Sequence, residues 1–467
     1  MKKTYVLLAS IAFSFFYFSA DAYLRLPDIF SDNMVLQQQT TIHFYGWSGP
    51  NQKISVIASW NADTLKTSTL SDAVWTVELK TPKAGGPYTI TVVGDSTITI
   101  QNILIGDNWI CTGQSNMEFS ADWHKDYYKK EVADANHPEI RFFHIWNISA
   151  PYPRQEVRGK WEVCTPETMH TFSAAGYFFG RTINENMHEP VGLIESCWGG
   201  TPVEAWTPIE VFNRSERLAV SAAKLTPVPW CPVRPAVTYN AMIAPITVFP
   251  IKGAIWYQGE TNTTNPDTYE EAFSAMIHSW RELWKEDFPF YFVQIAPFNY
   301  GKGDKGALVR EQQLKTYRDV PKTGMVVVSD ITGDTSDIHP INKIDVGKRL
   351  AAWALANTYG KQNIPYSGPL YRSVEVKGNE AVIHFDFADG GLMKKGDKLT
   401  DFMIAGDNQQ FFPANARVEG NKVIVSSPKV QHPAAVRFAF TNTAEPNLFN
   451  KAGLPASPFR TDDWEVK

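Results

Sequence analysis

The sequence Asn108-Trp109-Ile110-Cys111 runs, after Thr112, into Gly113-Gln114-Ser115-Asn116-Met117-Glu118-Phe119. The first run is apolar and is typical of a short strand buried inside a sheet. A glycine, a serine and side-chain amides then stand together at the strand's end, where open α/β sheets place their ligand crevices. A serine at such a turn can expose its hydroxyl, and the backbone N–H groups of the turn can face an oxyanion. The same residues would also suit an ordinary helix cap, because Ser and Asn are good N-caps.

The region around this segment alternates between buried strands and helices. Continuous apolar runs predict strands that are covered on both faces, and they stand at Ile110-Cys111, Val191–Ile194, Ala254–Tyr257, Phe290–Ile295 and Met325–Val328. Helical patterns lie between them, at Phe172 to Met187, from Asn265-Pro266-Asp267 onward, and at Asn342 to Tyr359. Alternating strands and helices predict an α/β fold with a parallel sheet covered by helices.

Both ends of the chain show a different pattern. Short runs with period-two alternation, separated by Gly, Pro and Asn, occupy residues 23–104, and similar runs recur after residue 362. Such runs predict small β modules. We therefore expect an N-terminal β-sandwich-like domain at 23–104, an α/β domain at 105–362 and a C-terminal β domain at 363–467.

The first residues have the features of an export signal. Lys2 and Lys3 precede an apolar run from Val6 to Phe18, and Ala20-Asp21-Ala22 fits a small-x-small cleavage pattern. The apolar run is short for a membrane span, although an uncleaved anchor helix is the alternative. We expect a signal peptide at residues 1–22 and an exported protein, periplasmic or secreted, whose mature chain does not insert into a membrane.

The composition argues against several classes of partner. The formal net charge is −5 and no basic tract occurs, which disfavours nucleic acid and anionic membranes as partners. The four cysteines, Cys111, Cys164, Cys197 and Cys231, lack the spacing of a zinc site, and we predict neither a metal nor a cofactor. An oxidising compartment would permit a disulfide of undetermined pairing, whereas the apolar strands that end at Cys111 and Cys197 favour buried thiols there.

Two glycine-containing clusters follow predicted strands. In Ser196–Pro202 the paired glycines Gly199 and Gly200 permit a positive φ and a close backbone approach, so that a free N–H can face a crevice. In Trp256–Asn262 the side-chain amide of Gln258 could donate to developing negative charge. Taken singly, each cluster could be an ordinary turn or a solvated loop.

A third cluster, Asp330–Pro340, contains a histidine among acids. His339 can take a proton from a serine, and Asp337 or Asp334 can orient the ring and stabilise the imidazolium. A carboxylate in that role would raise the pKa of His339. Because the carboxyl ends of parallel strands meet at one edge of a sheet, we expect this cluster, the two glycine clusters and the serine turn to share a single crevice.

Five blocks of this chain together resemble the sialate O-acetylesterase family, which belongs to the SGNH hydrolases. The blocks are Gly113–Met117, Trp198–Trp206, Tyr239–Ile243, Trp256–Asn262 and Asp337–Pro340, and the opening Leu24–Pro27 with Ser31–Leu36 is similar to the family's N-terminal segment. The resemblance covers nearly the whole mature chain. It implies a flavodoxin-like catalytic domain flanked by β modules.

The resemblance also implies roles for individual residues. It makes Ser115 the nucleophile and His339 the base, with oxyanion donors from the Ser115 N–H, Gly199 or Gly200, and Gln258. This chain departs from the superfamily's Asp-x-x-His, because Ser336 stands at that spacing and Asp337 stands two residues before the histidine. The orienting acid is therefore open between Asp337, our first choice, Asp334, Glu260 and a backbone carbonyl. The other polar residues of the blocks are expected to contact substrate: Gln114, Asn116, Asn240 and Glu260.

The implied function is removal of O-acetyl groups from a carbohydrate. Sialic acid acetylated at its 9-hydroxyl is the first candidate substrate, and acetylxylan or another acetylated plant polysaccharide is the alternative. Two other classes of protein remain possible from the residues. A glycosidase would use paired carboxylates such as Glu118 and Glu260, and a non-catalytic carbohydrate-binding protein would leave Ser115 and His339 too far apart to hydrogen-bond.

Overall fold

A computed structural model describes residues 24–61 and 63–466. The expected signal peptide lies outside the described residues. The N-terminal part is a β module whose strands alternate between inward and outward side chains. Its strands are β1 (Val35–Gln37), β2 (Thr41–Trp47), β3 (Lys53–Ala58), β4 (Thr64–Ser68), β5 (Val74–Lys80) and β6 (Gly85–Val93). Strands β2 and β5 pair antiparallel, as do β3 with β4 and β3 with β6.

One long strand, β7 (Thr97–Gly113), joins the N-terminal module to the central sheet. Its first half pairs antiparallel with β6, and its second half is buried on both faces. The domain boundary expected near residue 104 therefore falls inside a continuous strand. Because the two modules share this strand, the position of Ser115 is tied to the N-terminal module as well as to the central sheet.

The central region is the expected mixed α/β domain with a parallel sheet. After β7 its strands are β8 (His137–Ile145), β9 (Gly159–Cys164), β10 (Val191–Cys197), β11 (Gly253–Tyr257), β12 (Phe290–Val293) and β13 (Thr323–Val326). The helices are α1 (Ser115–Glu118), α2 (Lys125–Ala133), α3 (Pro166–Met169), α4 (Ala174–Met187), α5 (Ile209–Arg214), α6 (Glu216–Ala222), α7 (Tyr269–Trp284), α8 (Lys305–Asp319) and α9 (Lys343–Asn357).

The strand order explains where the ligand crevice lies. The sheet runs β13-β12-β11-β7-β10-β8-β9, with every neighbouring pair parallel except β8 and β9. The part β10-β7-β11-β12-β13 has the flavodoxin-like order 2-1-3-4-5, and β8 and β9 extend it beyond β10. In such a sheet the connection reverses direction at the first strand, and the ligand crevice opens at that strand's carboxyl end. Here the first strand is β7, which ends directly before Ser115.

Helices cover both faces of this sheet. Trp109 and Cys111 of β7 pack against α4 and α9, whereas Ile110 belongs to the opposite core with α7. The aromatic face of α7 packs on Trp256 and Phe290. Alternate residues of β7 therefore serve two cores, which is why its sequence is continuously apolar.

The C-terminal part is a second β module. Its strands are β14 (Leu370–Lys377), β15 (Glu380–Asp386), β16 (Leu392–Lys394), β17 (Phe402–Ala405), β18 (Phe411–Pro413), β19 (Asn415–Glu419), β20 (Lys422–Ser426), β21 (Ala435–Phe438), β22 (Leu448–Asn450) and β23 (Phe459–Arg460). They form two four-stranded sheets, β14-β15-β20-β19 and β18-β17-β21-β23, and a β16–β22 pair. Buried contacts connect this module to the central domain, for example Gln294 Nε2 to Ser457 Oγ at 3.0 Å.

Two further expectations concerned the state of the cysteines and insertion into a membrane. All four cysteines are buried free thiols in this structure. Within the described ranges, no helix combines the length and apolar character of a membrane span.

Candidate active site

The serine turn begins where two neighbouring parallel strands, β7 and β11, approach each other closely. At Gly113, the end of β7, a Cβ atom would stand 2.2 Å from the carbonyl oxygen of Tyr257 at the end of β11. The φ of Gly113 is +135°, so glycine alone fits this position without strain. The next N–H, that of Gln114, donates to the same Tyr257 carbonyl at 3.0 Å. The chain then turns into α1 with Ser115 as its first residue.

The structure brings Ser115 and His339 into contact. Ser115 Oγ and His339 Nε2 are 2.9 Å apart, although the residues are 224 positions apart in the chain. His339 lies in the loop between β13 and α9, and the indole of Trp123 packs edge-on against its ring. This geometry allows the imidazole to accept the serine proton. Since Ser115 opens α1, its own N–H has no helical carbonyl to bond and can face the reacting group.

Of the three carboxylates expected as orienting acids, Asp337 is the one that contacts His339. Asp337 Oδ1 accepts the backbone N–H of His339 at 2.9 Å, but it lies 3.6 Å from the ring atom Nδ1. That second distance is too long for a hydrogen bond. Asp334 accepts from the N–H and the hydroxyl of Ser336, and Glu260 accepts from Asn116. Asp337 therefore fixes the loop backbone and attracts the ring without a normal hydrogen bond to it.

The surroundings of His339 favour its neutral form. Burial lowers the pKa of His339 below its usual 6.5, and the charge of Lys343 lowers it further. His124 acts in the same direction, while Asp337 opposes them. The expectation of a raised pKa is therefore wrong in direction, because burial and Lys343 outweigh the exposed carboxylate.

Glu118, at the end of α1, accepts the hydrogen bond of one N–H group that was expected to bind the oxyanion, that of Gly199. Its Oε2 accepts the N–H of Gly199 at 2.7 Å, and its Oε1 accepts from Asn147 at 2.9 Å. A Cβ on Gly199 would stand 3.3 Å from Ser115 Cβ, so the missing side chain lets the loop lie against Ser115. Gly200 has a φ of +81° and belongs to the same turn. Because Gly199 already donates to Glu118, Gly200 is the glycine of the pair that remains for an oxyanion.

The structure does not bring the Gln258 amide to the serine. Gln258 has no exposed surface, and its Nε2 donates to Thr201 O at 3.1 Å and to Asn262 Oδ1 at 2.7 Å. Both hydrogens are therefore used inside the protein, which corrects the expected oxyanion role. Gln114 is better placed, since it lines the crevice. Its Oε1 faces the N–H groups of Gly259 and Thr261, which orients the amide.

Two of the residues expected to bind substrate are held inside the protein. Asn240 is buried and donates to Ala150 O at 3.1 Å, so it supports the loop after β8 rather than the crevice. Asn116 is fully buried and is bonded to Glu260, Ile338 and Lys343. Glu260 does line the crevice, and its Oε2 is buried without a hydrogen-bond partner among the described residues.

The crevice above Ser115 is a cavity of about 710 Å³ with an aromatic and acidic lining. The indoles of Trp123, Trp198 and Trp230 form part of the wall, and Trp230 is 67% exposed. Indole rings of this kind can stack on sugar rings. The sequence alone does not identify these three indoles, because a packed and an exposed tryptophan look the same in it. Among the described residues, no group of three or more His, Cys, Asp or Glu side chains is placed to hold a metal ion.

Comparison with known proteins agrees with this geometry. A family model described as carbohydrate esterase, sialic acid-specific acetylesterase, matches residues 106–356. This range includes the serine turn, the glycine pair and His339. The chain belongs to this carbohydrate esterase family. It is therefore a carboxylic ester hydrolase that removes acetyl groups from carbohydrates.

Similar proteins cover almost the full length of this esterase. Human sialate O-acetylesterase is 27% identical over 491 residues, which is 94% of this chain and 93% of the human protein. Mouse sialate O-acetylesterase is 27% identical over 435 residues, a shorter match of 79% of this chain and 80% of the mouse protein. The crystal structure of a carbohydrate acetylesterase from Xanthomonas citri superposes with a TM-score of 0.86 at 37% identity, covering 95% of this chain and 100% of that one. The family resemblance and the fold are thereby confirmed.

The pH profile should reflect the lowered pKa of His339. If neutral His339 is the base, kcat/KM must fall on the acid side as the ring protonates. Since the folded pKa lies below 6.5, we expect the acid limb to have its midpoint below pH 6.5 when kcat/KM is measured on acetylated sugar. A midpoint clearly above 6.5 would show that Asp337 dominates over burial and Lys343.

Replacing Asp337 should affect catalysis more than replacing its neighbour Asp334. The variant Asp337→Asn keeps an acceptor for the His339 N–H but loses the attraction to the imidazolium, so we expect kcat to fall about 10-fold or more. The acid limb should also move to lower pH, because Asp337 raises the pKa of His339. Asp334→Asn, in the same loop, is the matched control and should stay within a few-fold of the parent. Equal effects of the two variants would make Asp337 only a turn residue.

Proposed function

We propose that the protein deacetylates its carbohydrate through an acetyl-enzyme formed on Ser115. Ser115 Oγ attacks the acetyl carbonyl carbon while its proton passes to His339 Nε2. The bond between the carbonyl carbon and the sugar oxygen then breaks, and His339 returns the proton to the departing sugar oxygen. Water, deprotonated by the same histidine, hydrolyses the acetyl-serine to acetate and restores the enzyme.

The observation that carries this proposal is the 2.9 Å contact between Ser115 Oγ and His339 Nε2 at the edge of an open crevice. A non-catalytic sugar-binding protein has no need of that contact. The oxyanion would be met by the N–H of Ser115, the N–H of Gly200 and the side-chain amide of Gln114. These groups replace the donor set expected from the sequence, in which Gln258 took the third place.

Sialic acid acetylated at its 9-hydroxyl is the first candidate substrate, because the mammalian relatives carry the name sialate O-acetylesterase. One observation favours the second candidate, an acetylated neutral sugar of a plant polysaccharide such as acetylxylan. Glu118 and Glu260 are among the residues that line the crevice. A negative charge on either residue would disfavour an anionic sugar relative to a neutral one. Acetate release from 9-O-acetylated sialoglycan and from acetylated xylan, measured side by side, separates the two substrates.

Removing the Ser115 hydroxyl should abolish acetate release without unfolding the protein. We expect Ser115→Ala to lower kcat at least about 10³-fold, because the acetyl-enzyme cannot form. Ser373→Ala, an exposed serine on β14, is the control and should match the parent. Acetate would be quantified with the preferred sugar, and thermal melting would show that both variants fold. Undiminished acetate release by Ser115→Ala would move the nucleophile elsewhere, and sugar-chain cleavage by the parent would favour the glycosidase alternative of Glu118 and Glu260.

A further inference from the structure

A fully buried lysine lies beside the catalytic pair. Lys343 has no exposed surface, although lysine is almost never fully buried unless its charge is paired. Its Nζ donates to Asn116 Oδ1 at 2.7 Å and to the carbonyl oxygen of Pro340 at 2.6 Å. The rings of Phe119 and Tyr257 face the ammonium at 4.5 and 5.4 Å. All four contacts come from the segments that build the active site.

The position of Lys343 in its own helix is unfavourable for a positive charge. It is the first residue of α9, where the helix macrodipole favours anions and disfavours cations. The helix does not need it there as a cap, because the Asn342 side chain already accepts from the N–H of Asp345 at 3.1 Å. The cost of burying the charge at this position is therefore offset by contacts outside the helix.

Asn116 extends this contact to the other side of the histidine loop. Its Nδ2 donates to the carbonyl oxygen of Ile338 at 3.0 Å and to Glu260 Oε1 at 2.6 Å. The orientation of the amide is dictated by its partners, because an ammonium can only donate and a carbonyl can only accept. Lys343 thus fixes the oxygen of the Asn116 amide, and the nitrogen is left to hold Ile338.

The two hydrogen bonds hold the backbone on both sides of His339. Asn116 binds the carbonyl of Ile338, the residue before the histidine, and Lys343 binds the carbonyl of Pro340, the residue after it. The two side chains are also bonded to each other. Asn116 follows Ser115 in the chain, so the same link fixes the position of the serine turn relative to the histidine loop.

We propose that Lys343 is a positioning residue for deacetylation: bonded to Asn116, it fixes the loop that carries His339 so that Nε2 stays at hydrogen-bond distance from Ser115 Oγ. The inference rests on the proposed Ser115–His339 mechanism. It assigns no contact between Lys343 and the substrate.

The charge of Lys343 provides a readout that a purely structural residue would lack. The groups that act on the pKa of His339 are Lys343 and His124, which lower it, and Asp337, which raises it. Burial lowers the pKa of Lys343 itself to about 7, against the opposing effect of Glu260 and Asp337. The acid limb of the activity is expected below pH 6.5, where Lys343 carries its charge. Loss of that charge must therefore raise the pKa of His339 and move the acid limb to higher pH.

The test is the variant Lys343→Met, which keeps the length and apolar stem of the side chain. We expect kcat for acetate release to fall at least about 10-fold, because a small displacement of a catalytic group is costly. KM should change little, since Lys343 does not line the crevice, and the acid limb should shift upward. Lys348→Met removes an exposed lysine from the same helix and should change none of these quantities.

A second variant distinguishes the loss of the positioning contacts from the effect of leaving the buried Glu260 without a counter-charge. Lys343→Met leaves Glu260 without its buried counter-charge, and the double variant Lys343→Met with Glu260→Gln removes both charges. Positioning predicts that the double variant stays as slow as Lys343→Met. Recovery of the parental kcat in the double variant would overturn the proposal. If Lys343→Met does not fold, Asn116→Ala breaks the same link from the other side and should lower kcat with KM unchanged.

The proposal fails if Lys343→Met folds with the parental kcat, or if its acid limb does not move. It fails likewise if Asn116→Ala retains the parental kcat. These results are distinct from failure of the proposed mechanism, which Ser115→Ala decides alone. Titration of the His339 ring by NMR, in the parent and in Lys343→Met, measures the upward pKa shift even in an enzyme whose nucleophile is another residue.

Discussion

The hydrogen bond from the Asn116 amide to the carbonyl of Ile338 joins two segments that are 222 positions apart in the chain. Because Ser115 precedes Asn116 and His339 follows Ile338, this bond lies one residue away from each member of the contact between serine and histidine. Lys343 donates to the oxygen of the same amide. We propose that the geometry of Ser115 and His339 depends on this buried polar link, although the Asn116 and Lys343 side chains do not line the crevice.

The scaffold supplies the rigidity that such a link needs. Strand β7 is shared by two modules, and its Gly113 lies so close to Tyr257 of the neighbouring strand β11 that no side chain fits. The parallel order on either side of β7 places the glycine pair and the Glu260 segment around the same strand end. The site nevertheless retains unfavourable groups, since Glu260 Oε2 and the Tyr257 hydroxyl are buried without hydrogen-bond partners among the described residues.

The sequence was most informative where chemistry and strand pattern coincide. Ser115 and His339 could be chosen because each follows a continuous apolar run, and parallel strand ends converge. The roles of the other polar side chains around the site could not be assigned from the sequence in this way. Gln258 and Gln114 are both amides in polar segments. Only the folded structure shows that the Gln258 amide bonds inside the protein and that Gln114 lines the crevice. In the sequence, Lys343 is an ordinary charged residue at the start of a helix. Its burial comes from residues that are distant in the chain, and the local sequence pattern does not predict it. The boundary expected at residue 104 corresponds to the point where β7 changes from alternating to continuous burial, and the sequence does not show that the strand continues through it.

The central claim is that deacetylation passes through an acetyl group on Ser115, and rapid acid quenching followed by peptide mass spectrometry tests it most directly. The enzyme would be mixed with excess acetylated sugar and stopped within the first turnovers. We expect the peptide containing Ser115 to gain the mass of one acetyl group, and the gain to disappear in Ser115→Ala. Accumulation would be greatest if hydrolysis of the acetyl-enzyme is the slower step. The opposite result would be an acetyl group on a different residue that forms and is hydrolysed as fast as acetate is released. That result would contradict the role of Ser115.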